Sequence, residues 1–416
     1  MSLHDTLADA LHEARRRSLD LLDPLTEAAL VAQHSPLMSP LAWDLAHIGN
    51  YEDQWLLPSR VGARYDDVYD AFRHPRRDRP SLPLLNPAAA RRYLAEVRGR
   101  VLDALADAPL DDGGFLYAMV VQHEHQHDET MLATLQLMAG EGYRPLAPPP
   151  PAAPPRTWPD DVLVEGGPFP MGSDDRAWAY DNERPSVEVD VPSFRIDTTP
   201  VTNAAYAAFV ADSGYDEPRW WSDAGWAWRQ EAGLAMPQFW DGAGGRLRFG
   251  IAEALPPEQP VQHVCWYEAD AFARWTGKRL LTEAEWEKAA SWDPATGTKR
   301  RYPWGDEAPT ADHANLGQRH FGPAPVGAYP AGQSAYGCLA MVGDVWEWTA
   351  SDFAPYPGFR AYPYREYSEV FYGPEYKVLR GGSWATHASA ARTTFRNWDY
   401  PIRRQVFAGF RCAQDA

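Results

Sequence analysis

Val121-Gln122-His123-Glu124-His125-Gln126-His127-Asp128-Glu129 places three of the chain's twelve histidines within five residues. The apolar residues around it, Leu116, Met119, Val120, Met131, Leu132 and Leu135, recur at helical spacing, so the segment from about Gly114 to Met138 reads as one helix. On a helix His123 and His127 are four apart and share a face, whereas His125 points elsewhere. Two imidazoles on one face can grip a transition-metal ion if a third ligand arrives from another helix. The other reading is a solvated polar face with no metal.

Three further helices are expected before this one. Residues 3–22 carry Leu3, Leu7, Leu11, Leu19 and Leu22. Ser39-Pro40 offers an N-cap with proline at the first helical position, and Leu41, Leu45, Ile48, Trp55 and Leu56 follow on a helical period. Residues 87–107 repeat the pattern with Tyr93, Val97, Val101 and Leu105. Four such helices predict a four-helix bundle, a scaffold that builds metal sites from facing side chains. His47, flanked by Leu45, Ala46 and Ile48, is the candidate third ligand; a hydrogen-bonded core histidine is its other reading. Glu124, Asp128 and Glu129 are candidates to orient the ligands.

The composition changes near residue 145. Eight of the fifteen residues from Pro145 to Pro159 are proline, which ends any helix and favours an extended linker. Sixteen of the eighteen tryptophans lie from Trp158 onward. There, short alternating runs such as Val187–Val191, frequent Gly and Pro turns, a helix from Trp266 and a second capped by Thr282 and Glu285 predict an α+β unit. The expected organisation is a helical bundle over 1–144, a linker over 145–159 and an α+β domain over 160–416.

A net charge of −18 over 416 residues argues against sequence-independent binding to nucleic acid or anionic membranes. No apolar run reaches the roughly 18 residues of a membrane span. The N-terminus reads as a charged amphipathic helix rather than a signal peptide. Cys265, Cys338 and Cys412 are too few and too scattered for a disulfide framework, and read as buried thiols of a reducing cytoplasm.

A series of motifs runs through the second half: Phe169-Pro-Met-Gly-Ser173, Thr199-Pro-Val-Thr-Asn203, Lys278-Arg-Leu-Leu-Thr-Glu-Ala-Glu-Trp286, Tyr302-Pro-Trp-Gly-Asp306, Gly343-Asp-Val-Trp-Glu-Trp348, Arg380-Gly-Gly-Ser-Trp384 and Phe407-Ala-Gly-Phe-Arg411. With His47 and the His123–His127 helix, the chain resembles the ergothioneine-biosynthesis sulfoxide synthases. These are non-haem iron enzymes that join a DinB-like bundle to a formylglycine-generating-enzyme-like domain of C-type-lectin type. Formylglycine-generating enzymes use a cysteine pair shortly after the Arg-Gly-Gly-Ser segment; here Thr386, Ser389 and Ala390 occupy that stretch and no cysteine lies between Arg380 and Arg411. The chemistry is therefore expected at the histidines.

The resemblance implies that His47, His123 and His127 bind Fe(II). It implies O2-dependent formation of a C–S bond between γ-glutamylcysteine and C2 of the hercynine imidazole, with oxidation of the sulfur to a sulfoxide. It makes Tyr364 the catalytic tyrosine and Tyr367 a substrate contact, with Tyr362 in the same loop. Gln126, Asn397 and Trp398 match hercynine-binding positions. Arg76 and Arg79 match the pair that holds the donor's carboxylates, and Asp399 matches the partner of its ammonium group. The convergence of residues from both halves predicts an active site at a domain interface. The alternatives are the same fold with cysteine or another sulfur or selenium donor, or a non-catalytic metal- or ligand-binding module.

Overall fold

In the computed structural model, which describes residues 2–138 and 142–416, the first helix opens on a capping box. The Asp5 amide donates to Ser2 Oγ at 3.1 Å and the Ser2 amide donates to Asp5 Oδ2 at 2.9 Å. Helix α1 (Leu3–Leu22) buries Leu7, Leu11, Ala14, Leu21 and Leu22. A short α2 (Glu27–Val31), not anticipated from the periodicity, has Thr26 as its cap. It is followed by α3 (Leu41–Leu56), α4 (Pro87–Leu105) and α5 (Phe115–Leu137). Asn86 caps α4 with Pro87 at its first turn, where a missing amide costs nothing.

The expected Ser39 cap on α3 is not formed. Pro40 is the N-cap residue and makes no side-chain bond. The Ser39 hydroxyl instead accepts from Arg79 Nη1 at 2.6 Å, so it fastens a loop rather than a helix end.

The four long helices pack pairwise, α1 on α5, α3 on α4 and α3 on α5. Helices α3 and α5 are buried on nearly all faces. Their buried charges meet at the centre. Arg15 of α1 bonds Glu124 at 2.7 Å and Glu52 at 2.6 Å, and Arg98 of α4 bonds Glu52 at 2.5 Å and Glu124 at 2.8 Å. One residue from each long helix thus contributes to a two-plus-two charge cluster, which sets the register of α3 against α5. Such a cluster adds little net stability, but losing one partner strands a buried charge at a cost of about 3–5 kcal/mol.

The chain divides into two units. The first comprises Met1–Arg144, Arg176–Trp178 and Phe249–Ile251, and the second Pro145–Asp175, Ala179–Arg248 and Ala252–Ala416. Residues 145–157 have no regular secondary structure. The second unit contains α6 (Asn203–Ala211), α7 (Asp223–Glu231), α8 (Trp266–Trp275) and α9 (Glu283–Ser291). The Thr282–Glu285 capping box on α9 is formed as expected. One four-stranded sheet has the order Asp161–Val164, Phe194–Asp197, Cys412–Asp415, Arg279–Leu280. A second has the order Asn397–Asp399, Gly373–Arg380, Trp346–Phe353, Ala408–Gly409.

The sequence motifs of this unit fasten to one another. Arg411 reaches Glu347 at 2.7 Å, and Trp286 Nε1 donates to the same carboxylate at 2.8 Å. Arg380 pairs with Glu283 at 2.9 Å and Glu287 at 2.6 Å, and Arg396 pairs with Glu283 at 2.7 Å. These arginines and glutamates are buried, so the motifs specify the fold rather than a surface. All three cysteines are free and buried. Among the described residues no helix is long and apolar enough to cross a membrane.

Candidate metal centre

His47 sits on α3, and His123 and His127 sit one turn apart on α5. The packing of α3 on α5 brings one ligand atom of each to within 4.8 Å of the other two. Three imidazoles gathered this closely could hold one transition-metal ion, which would supply Lewis-acid or redox chemistry there.

Each imidazole is held differently. His47 Nδ1 lies 2.8 Å from the Tyr69 carbonyl oxygen, which can only accept, so Nδ1 carries the proton and Nε2 keeps the lone pair. Its ring stacks on Trp43 at 4.5 Å. His127 Nδ1 lies 3.0 Å from Asp44 Oδ1, which fixes the same tautomer. His123 stacks on Tyr51 at 3.6 Å and 11°. Burial, reinforced by neighbouring His127, holds the His47 imidazole well below its ordinary pKa. Burial, with His127 and then His47, does the same for His123. Both are neutral at pH 7, the form a metal requires, so the donor set fits a divalent transition ion.

The residues expected to orient the ligands are engaged elsewhere. Glu124 belongs to the charge cluster with Arg15 and Arg98. Asp128 accepts from Ser18 Oγ at 2.7 Å and contacts His125 Nδ1 at 3.2 Å. Glu129 is half-buried on α5. Asp44, which the sequence reading passed over, contacts His127 instead; it is 1% exposed, and among the described residues its Oδ2 has no hydrogen-bond partner. The signal was available, since Asp44 precedes His47 by three positions and shares its helix face. Trp43 and Tyr51, each four residues from His47, were open to the same argument. His125 points away from the ligand pair, as its position on the helix requires, but it is buried rather than solvated.

Arg79 lies close to the cluster. Its guanidinium stacks on Trp43 at 3.5 Å, donates to Ser39 and to the carbonyls of His74 and Ala71, and is buried. Burial lowers its pKa to about 10 despite the nearby Asp44 charge, so it remains a cation. Arg76 is exposed, with Nη1 donating to the Leu37 carbonyl at 3.1 Å. Gln126 is half-buried between the two ligands of α5.

In the second unit, Tyr364, Tyr367 and Trp398 come together as aromatic neighbours. Tyr364 meets Tyr367 edge-on at 6.2 Å, and Tyr367 meets Trp398 edge-on at 6.1 Å. Trp398 stacks on Phe353 at 4.1 Å. The strand Asn397–Asp399 pairs with Lys377–Leu379, which sets Asn397, Trp398 and Asp399 in a fixed register. The Asn397 side chain accepts from the Trp398 amide at 2.9 Å, and Asp399 faces Arg403 at 3.5 Å.

Comparison with known proteins agrees with both units. Residues 10–131 match the DinB superfamily, and residues 147–416 match the sulfatase-modifying factor enzyme 1-like domain. The chain is 56% identical to a hercynine oxygenase of Mycolicibacterium thermoresistibile, over 98% of this chain and 94% of that one. It is 52% identical to the hercynine oxygenase of Mycolicibacterium smegmatis over the whole of both chains. A formylglycine-generating enzyme of Streptomyces coelicolor is 37% identical, covering 65% of this chain and 94% of its own length. Identity at this level over both units together, and not over the second alone, decides the matter: the chain is an oxidoreductase and belongs to the hercynine oxygenase family.

Proposed function

We propose that this protein catalyses the joining of γ-glutamylcysteine to C2 of hercynine in ergothioneine biosynthesis, in the cytoplasm, with Fe(II) held by His47, His123 and His127. In the balanced reaction the thiol S–H and the imidazole C2–H are lost. One oxygen atom of O2 ends on sulfur as the sulfoxide and the other leaves as water. The observation that carries the reading is the cluster of three imidazoles, two of them held neutral by burial, in a chain whose full-length relatives are hercynine oxygenases. An Fe(II) ion held there would supply redox chemistry and a common point of attachment for the reactants, while the three histidines hold and orient it.

The side chains have separate tasks in this proposal. Asp44 and the Tyr69 carbonyl orient His127 and His47. Tyr364 holds the proton delivered to reduced oxygen, through its phenol O–H. Trp398 offers an aromatic face to the quaternary ammonium of hercynine, which cannot donate a hydrogen bond. Asn397, Tyr367 and Gln126 contact the remainder of hercynine. Arg76 and Arg79 hold the donor's carboxylates, and Asp399 its ammonium. Arg79 supports its assignment by remaining charged beside the ligands. Anaerobic loading with Fe(II), followed by hercynine, γ-glutamylcysteine and O2, should yield the sulfoxide conjugate by mass spectrometry. Turnover with free cysteine alone would reject the donor assignment.

A further inference from the structure

Within the second unit, Asp181 is a buried carboxylate that spends its two oxygens on the two ends of one loop. Oδ1 accepts from Ser368 Oγ at 2.6 Å, and Oδ2 accepts from the Tyr362 amide at 3.1 Å. Tyr364 and Tyr367 lie between those anchor points. Between the anchors the regular structure is the two single turns Arg365–Tyr367 and Glu369–Phe371, with Arg365 paired to Glu369 at 3.0 Å.

The post on which Asp181 stands is rigid. It opens the 3-10 turn Asp181–Glu183. Glu183 receives Arg392 Nε at 2.8 Å and Thr394 Oγ1 at 2.7 Å, and the Asn182 carbonyl receives Arg396 Nη1 at 2.9 Å. Beside Asp181, the ring of Tyr180 lies flat on Tyr367 at 4.1 Å and 15°. Arg396 leads directly into Asn397–Asp399, so the loop and the strand share one foundation.

We propose that Asp181 is the positioning residue of the tyrosine loop: a two-point staple that fixes where Tyr364 and Tyr367 stand, with Tyr180 as the surface on which Tyr367 rests. This rests on the reading of Tyr364 as proton donor and Tyr367 as substrate contact. A reacting group on a loop needs such support, because a misplacement of about 1 Å can cost about 100-fold in rate.

Asparagine at this position can keep both bonds, accepting from the Tyr362 amide and donating to the Ser368 hydroxyl, whereas alanine keeps neither. In the full-length protein, Asp181→Ala should raise hydrogen exchange of the 359–372 amides by about 10- to 100-fold, and Asp181→Asn by far less. It should also lower kcat, yet cost nothing further in a Tyr364→Phe background. Unchanged loop exchange, or an equal loss of kcat in both backgrounds, would overturn the proposal. If Asp181→Ala does not fold, Ser368→Ala decides: faster exchange confined to the loop supports the staple, and unchanged exchange rejects it. Wild-type kcat in Tyr364→Phe alone would refute the catalytic reading of Tyr364, while loop exchange would still decide the role of Asp181.

Discussion

His127 donates from Nδ1 to the Asp44 carboxylate at 3.0 Å, so a residue three positions before one candidate ligand, His47, orients a second candidate 83 positions away. The bond fixes the tautomer that leaves Nε2 for the metal. Asp44→Ala should weaken metal binding by about 10- to 100-fold, measured by Co(II) competition with a chelator. Asp44→Asn, which still accepts from Nδ1, should lose less. Equal affinity in Asp44→Ala and wild type would show that the contact does not prepare the site.

The charge cluster gives a stability prediction. Glu52→Gln leaves Arg15 and Arg98 short of a buried partner and should cost about 3–5 kcal/mol in urea unfolding of the metal-free protein. A cost below about 1 kcal/mol would mean that water reaches the cluster and screens it.

Much of this was legible in the sequence because periodicity reports which helix face is buried. The His123–His127 pair and the bundle that carries it followed from spacing alone. The Ser39 cap failed because a serine before Pro-Leu is equally able to accept from a distant arginine, and only tertiary packing chooses between them. Glu124 was assigned to the ligands because it adjoins His123 in sequence. Adjacent helical residues point about 100° apart, and Glu124 faces Arg15 and Arg98. Asp181 and Ser368 lie 187 positions apart, and no local pattern pairs them.

Among the buried groups that make the metal-free protein less stable in acid are His125 and Glu124. Burial pushes His125 down to about 3 from 6.5. Burial also disfavours the Glu124 carboxylate, but Arg15 and Arg98 outweigh it and hold the group at about 2, below 4.5. In both cases the folded chain binds fewer protons than the unfolded chain, so stability falls as pH falls. The His125 contribution is complete above 6.5 and lost from there toward 3; the Glu124 contribution is complete above 4.5 and lost toward 2. His125→Gln should flatten the slope between pH 6 and 5 by about 1.4 kcal/mol per pH unit. An unaltered slope in chemical denaturation would contradict the burial of a neutral imidazole there.

The two arginines should separate in kinetics. Arg76→Ala, at an exposed position, should raise KM for γ-glutamylcysteine without changing Tm. Arg79→Ala should raise the same KM and also lower Tm, because it releases Ser39 and the carbonyls of Ala71 and His74. An unchanged KM in both variants would remove the pair from the donor site.

The central proposal is that the three histidines seat the iron. Its most direct test is the iron content of wild type and His127→Ala after anaerobic loading and desalting, read beside conjugate formation on the same samples. The account predicts stoichiometric iron and product in the wild type and neither in the variant. Stoichiometric iron retained by His127→Ala would contradict it.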